Sequence, residues 1–169
     1  MIKALAFAFA LAAGQCAGAV AAEACKQPGG PEANIAVAKN FYAAVNAGDK
    51  ALLDQTLAKD WADVPLAPGQ GPGSEGMKGA LDGYKAAFPY FLAKNEDFIV
   101  SGDRVVVRST ITATQKGDFA SVKASGKPVK IMAIDIHTIC DGKIVSTFHV
   151  EDWLTGLFRS EERRVGKEC

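Results

Sequence analysis

Asp135, His137 and His149 are the residues whose types and spacing could do chemistry. Asp135 and His137 interrupt the apolar run Ile131-Met132-Ala133-Ile134-Asp135-Ile136-His137, two apart and so on one face of a strand. A carboxylate beside an imidazole orients the ring and holds up its pKa, so the histidine can remove and return a proton near neutral pH. Apolar surroundings would raise the Asp pKa and lower that of an unpaired His, leaving either able to act as the base. The expectation is His149 as proton acceptor and donor, with Asp135 as its orienting partner. The same three residues could reach one metal ion, but no recognised ligand motif is present, so no metal or other cofactor is expected.

Whether the two groups meet depends on the turn at Cys140-Asp141-Gly142-Lys143. With Cys140-Asp141 in a type I turn and Gly142 as a left-handed bulge, Ile139 pairs with Lys143. Ala133 then lies opposite His149 and Asp135 opposite Thr147, with Asp135 diagonal to His149 and within side-chain reach. A two-residue turn at Asp141-Gly142 would instead point Asp135 and His149 to opposite faces.

The elements that must position these residues read as helices first and strands afterwards. Ile35, Ala38, Phe41, Tyr42 and Val45 recur at helical steps over Ala33–Ala47, and Gly48 ends that helix. Asp49 caps a second helix carrying Leu52, Leu53 and Leu57. Pro65 to Gly76 is a Pro/Gly-rich loop, and Ser74 caps a third helix with Met77, Leu81, Tyr84 and Phe88 on one face. From about Asp97 the period becomes two: Phe98–Val100, Arg104–Thr114, Val129–Cys140 and Ile144–Asp152 read as antiparallel strands, with a polar loop over Lys116–Lys127. This is an α+β pattern with helices on one face of a sheet. If the sheet curls, Tyr42, Trp61, Asp63, Tyr84 and Phe88 line its helical side, while Arg108 and Thr110 face water. Gly71-Pro72-Gly73-Ser74-Glu75-Gly76 matches G-x-G-x-x-G, but it follows prolines rather than a strand and opens no βαβ unit, so it is a loop.

The two ends read differently from the middle. Lys3, the apolar Ala4–Ala13 and small-x-small sites such as Ala22/Ala24 describe a secretory signal peptide over 1–24, which implies export to the periplasm or beyond. Its Leu/Phe-rich part is about half of the ~20 residues a span needs, so no membrane anchor is expected. Arg159 to Cys169 is densely charged without periodicity and looks like sequencing-adapter read-through, not native chain. That leaves residues 25–158 as one domain with 14 basic and 15 acidic side chains. A nucleic-acid groove would need a basic stripe, and none is present. Cys25 and Cys140 remain, and an oxidising compartment permits a bridge between them.

In sequence the chain resembles the SnoaL-like polyketide/ester cyclases of the NTF2-like superfamily. The likeness is carried by Phe41-Tyr42-Ala43-Ala44-Val45-Asn46-Ala47-Gly48-Asp49, Gly73-Ser74-Glu75-Gly76, Gly102-Asp103-Arg104-Val105-Val106-Val107-Arg108 and Ala133 through Val145. It implies a cone of N-terminal helices packed on a curved, mainly antiparallel sheet around a deep apolar pocket, often in a homodimer. It also implies ring closure by intramolecular aldol condensation without a cofactor. Those cyclases carry an acidic acid/base residue on the last strand and a histidine on the preceding one. The matching positions here are His149 and Asp135, with the two residue types exchanged. The resulting expectation is an exported, cofactor-free acid/base enzyme for a small apolar carbonyl compound or ester. His149 and Asp135 would be catalytic, and His137, Asp63, Tyr42, Trp61 and Tyr84 would line the pocket. The alternatives are a periplasmic module that binds a hydrophobic small molecule without converting it, and a dimerisation domain.

Overall fold

The computed structural model describes residues 29–119 and 121–156. The leader-like segment, Cys25 and the charged tail from Arg159 lie outside the described residues.

Three helices come from the expected signals, with two corrections. α1 (Pro31–Ala47) starts on a proline that has no N–H to leave unpaired and ends at Gly48, whose φ of 74° suits glycine. α2 (Lys50–Thr56) is capped by Asp49, whose side chain accepts from the Leu52 N–H at 3.0 Å. Leu57 leaves the helix and opens a strand. α3 (Gly73–Ala87) has Pro72 at its N-cap; Ser74 is buried inside the first turn and caps nothing.

Five strands form one mixed sheet in the order β1-β5-β4-β3-β2. They are β1 (Leu57–Val64), β2 (Leu92–Ser101), β3 (Arg104–Thr114), β4 (Pro128–Cys140) and β5 (Lys143–Glu151). β1 was not foreseen. It is a short edge strand with little alternation, paired parallel to β5 across a break in register, and so carries no clear period of two. β2 begins at Leu92, six residues before the expected strand, because Lys94–Asp97 is an unbroken polar run without apolar alternation yet pairs with β3. The other neighbours are antiparallel.

One sheet face is packed against the helices. Val105, Val107, Ser109, Ile111 and Ala113 of β3 and Val129, Ile131, Ala133, Asp135, His137 and Ile139 of β4 alternate inward and are buried. They meet Ala38, Phe41, Tyr42 and Val45 of α1 and Met77 and Leu81 of α3 in one core. Arg108 lies on the other face and pairs with Asp97, as its position in the alternation predicted.

The β4–β5 turn corrects the expected geometry. Asp141 and Gly142 both have positive φ, 49° and 73°, and Cys140 pairs with Lys143, so the loop has two residues. That turn alone would have separated Asp135 from His149. The extra residue sits one step along β5 instead: Ile139 pairs with Ile144 but Thr138 with Ser146, leaving Val145 as a bulge. The bulge restores the parity, and Asp135 lies opposite His149, not Thr147. His137 pairs with Thr147 and Ala133 with Glu151. Cys140 is disulfide-bonded. The chain's three other cysteines, Cys25 among them, lie outside the described residues.

Candidate functional site

Between α1, α3 and the inward face of the sheet is a cavity of about 80 Å³ lined by Tyr42, Trp61, Asp63, Tyr84, Asp135 and His149 among others. Apolar side chains from Phe41, Val45, Met77, Phe91 and Ile111 form most of the remaining wall. It opens past Tyr84, His149, Glu151 and Trp153 into an outer groove of about 940 Å³ between the Pro65–Pro72 loop and the glycine-rich side of α3. Pockets of several hundred Å³ with few polar groups suit small organic molecules. The inner chamber is large enough for one functional group and the outer groove for the body of a ligand.

Asp135 is almost fully buried, and burial pushes its carboxyl up to about 6. The Tyr42 hydroxyl donates to its Oδ2 at 2.7 Å and holds the value down against that desolvation. Oδ1 has no hydrogen-bond partner among the described residues. Tyr42 itself is pushed far above the ordinary phenol range by burial and by the neighbouring carboxylate, so it acts only as a neutral donor.

His149 is set in a different environment from the one expected. Its Nε2 lies 3.1 Å from Asp63 Oδ1 and 2.9 Å from the Pro65 carbonyl, and its Nδ1 lies 3.1 Å from Glu151 Oε1. Hydrogen bonds to Asp63 and Glu151 raise its pKa to about 11, so it is an imidazolium with both N–H groups committed to acceptors. Asp135 is across the strand pair and within 4.8 Å, but its hydrogen bond is with Tyr42. The carboxylates that orient the ring are Asp63 and Glu151. Gln70 in turn donates to Asp63 at 2.7 Å, tying the loop to the site.

His137 is fully buried and lies behind the cavity wall, outside the lining expected of it. Burial lowers its pKa to about 3, so it is neutral. Its ring nitrogens meet the Tyr42 hydroxyl at 3.1 Å and the Thr147 hydroxyl at 2.9 Å, and the Trp61 indole donates to Thr147 at 3.0 Å. Phe88 is likewise behind the wall, edge-on to Phe119 and stacked with Trp153, two residues that line the groove. Tyr42, Trp61, Asp63 and Tyr84 do line the cavity. Glu151 was not foreseen as a site residue, and Thr147 was expected on this face but not as a partner of His137. The signal was present, since both share with His149 the alternate positions of β5.

The metal set also changes. Asp135, His149 and Glu151, rather than His137, bring one ligand atom each within 4.8 Å of one another. A ring that donates both its protons to acceptors offers no lone pair to an ion, so this arrangement suits proton chemistry better than metal binding.

A comparison with curated protein sequences finds no match. Among solved structures the chain is similar to TsrD from Streptomyces laurentii, with 29% identity over 78% of this chain and 96% of that one at a TM-score of 0.70. A Bacillus cereus protein assigned as a polyketide cyclase is 28% identical over 82% and 95%, with a TM-score of 0.67. IdmH from Streptomyces antibioticus, assigned likewise, is 27% identical over 73% and 95%, at 0.65. The family model described as SnoaL-like polyketide cyclase matches residues 36–158, which contain every strand, both carboxylates on His149 and the Tyr42–Asp135 pair. With its helices packed on the curved mixed sheet of that NTF2-like architecture, the chain belongs to the SnoaL-like polyketide cyclase family.

Proposed function

We propose that the chain is an acid/base enzyme of cyclase or isomerase type that removes a proton next to a carbonyl group in a small, largely apolar molecule. The observation that carries this is a buried carboxylate, poised near pH 6, with one oxygen unpaired beside an apolar cavity. Asp135 is the base. His149 is too basic to accept a proton at neutral pH, and its role is the fixed positive charge beside the developing enolate. These are the reverse of the roles expected from sequence. The proton removed from carbon resides on Asp135 and returns to the enolate carbon or to the oxygen formed when that carbon attacks a second carbonyl. The sequence moves only protons and a carbon–carbon bond, so it calls on no redox group.

The test is deuterium incorporation at the central carbon of an apolar 1,3-dicarbonyl in D₂O, followed by NMR. The intact protein should speed exchange over buffer, and Asp135→Asn should lose at least about 100-fold of that enhancement, the usual share of a general base. Binding of the probe without accelerated exchange would make the chain a carrier instead. We further propose, from the leader-like residues 1–24, that the mature protein functions outside the cytoplasm.

A further inference from the structure

Five side chains from four elements form one continuous chain of hydrogen bonds: Trp61 on β1, Thr147 on β5, His137 on β4, Tyr42 on α1 and Asp135 on β4. Counting protons gives it a direction. An ionised Asp135 has none, so Tyr42 must donate its only hydroxyl proton to Oδ2. The contact between Tyr42 and His137 Nε2 then needs its proton from the ring. A neutral imidazole has a single N–H, so Nδ1 is bare and accepts from the Thr147 hydroxyl. The Thr147 oxygen in turn accepts from the Trp61 indole, which can only donate. Every link points toward Asp135.

We infer that His137 is a positioning residue: its proton sits on Nε2, with the Thr147 hydroxyl donating to Nδ1, which makes Tyr42 a one-way donor to Asp135 Oδ2 and leaves Oδ1 as the oxygen that takes the ligand's proton. The inference rests on the reading of Asp135 as the base. It assigns work to a histidine that touches no part of the cavity. Were the ring proton on Nδ1 instead, Nε2 would compete with the carboxylate for the Tyr42 hydroxyl, and Asp135 would lose the contact that opposes its desolvation. The charged and titratable groups facing Asp135 are Asp63 from β1, His149 and Glu151 from β5 and Tyr42 from α1, with the neutral Ser109 of β3 also donating toward the phenol oxygen. None but Tyr42 bonds the carboxylate. The switch between ring tautomers therefore acts on Asp135 through one hydroxyl.

The experiment is NMR on uniformly ¹³C/¹⁵N-labelled protein without ligand. There are only two histidines to assign. Long-range ¹H–¹⁵N spectra should show His137 neutral with its proton on Nε2 from about pH 7 to 9, where Asp135 is ionised, while His149 carries both protons. Thr147→Val removes the hydroxyl that donates to Nδ1 and so favours the proton on Nε2. It should give a mixture of ring forms and raise the Asp135 carboxyl midpoint by about one pH unit. Tyr42→Phe should raise it at least as far, and Thr147→Ser should restore both readouts. A wild-type His137 protonated on Nδ1 overturns the inference, and so does a folded Thr147→Val protein whose Asp135 midpoint has not moved. The wild-type tautomer decides the matter even if Thr147→Val fails to fold. No substrate is involved, so an Nε2–H tautomer with no deuterium exchange would sink the catalytic reading alone.

Discussion

Asp135 is held at a cost to the fold, and that cost is measurable. Its folded pKa of about 6 lies above the ordinary carboxylate value, so the protonated form is the one the fold prefers. The stability it contributes is complete below about pH 4 and is lost as the pH rises through 6. Above that point the buried charge costs on the order of 3 kcal/mol, from about two pH units at ~1.4 kcal/mol each. Asp135→Asn should therefore raise the thermal midpoint at pH 8 by several degrees and leave it nearly unchanged near pH 4, with melts at the two pH values as the check. A rise at both would mean that packing, not ionisation, is responsible. Few of these contacts could be read from the chain. The shared face of Asp135, His137 and His149 follows from strand alternation, but Asp63 reaches His149 from an edge strand without clear alternation, and Gln70 reaches Asp63 from a loop whose path has no periodicity.

Close approach of backbone fixes the mouth of the site at the level of the elements. A Cβ added at Gly76 in α3 would lie 1.7 Å from the Gly71 carbonyl oxygen, which belongs to the loop bearing Gln70. In an ordinary helix interior Gly→Ala stabilises by up to about 1 kcal/mol. Here Gly76→Ala must displace the loop, so it should lower the thermal midpoint and increase protease cleavage between 65 and 72. Unchanged cleavage would show that the loop yields freely. This glycine stood in a motif that resembles a phosphate loop, and its real task is steric. The β4–β5 turn teaches a related lesson. Asp-Gly announced a tight turn, and the observed two-residue form is the commoner choice for such a pair. Nothing in the residue types marked Val145 as the bulge, because its side chain suits either partner in the ladder. The inward direction of His149 was thus legible only with the help of an irregularity that leaves no trace in composition.

Across the whole molecule, strands near the centre of the sheet are tied on both sides, while β1 and β2 are edges. β3 and β4 share an unbroken ladder from Arg104–Thr138 to Thr114–Pro128, whereas the β1–β5 pairing is interrupted between Leu57 and Ala62. Amide hydrogen exchange should therefore be slowest in β3 and β4 and fastest among the strands in β1, where local opening needs the fewest lost contacts. Equal protection of β1 and β3 would contradict that ranking. The general architecture was legible because helix and strand periods occupy separate halves of the chain. β1 and the first half of β2 were hidden because their pairing at the edges leaves little alternation behind.

The last of the described strands, β5, is also the one wedged between the first and the fourth. Asp63, made early, has no imidazole to grip until His149 follows it out of the ribosome, and β1 has no strand to pair with until then. A nascent chain of this kind keeps its sheet open until β5 has been made, and the hollow that Asp63, Asp135 and His149 share closes only with that strand.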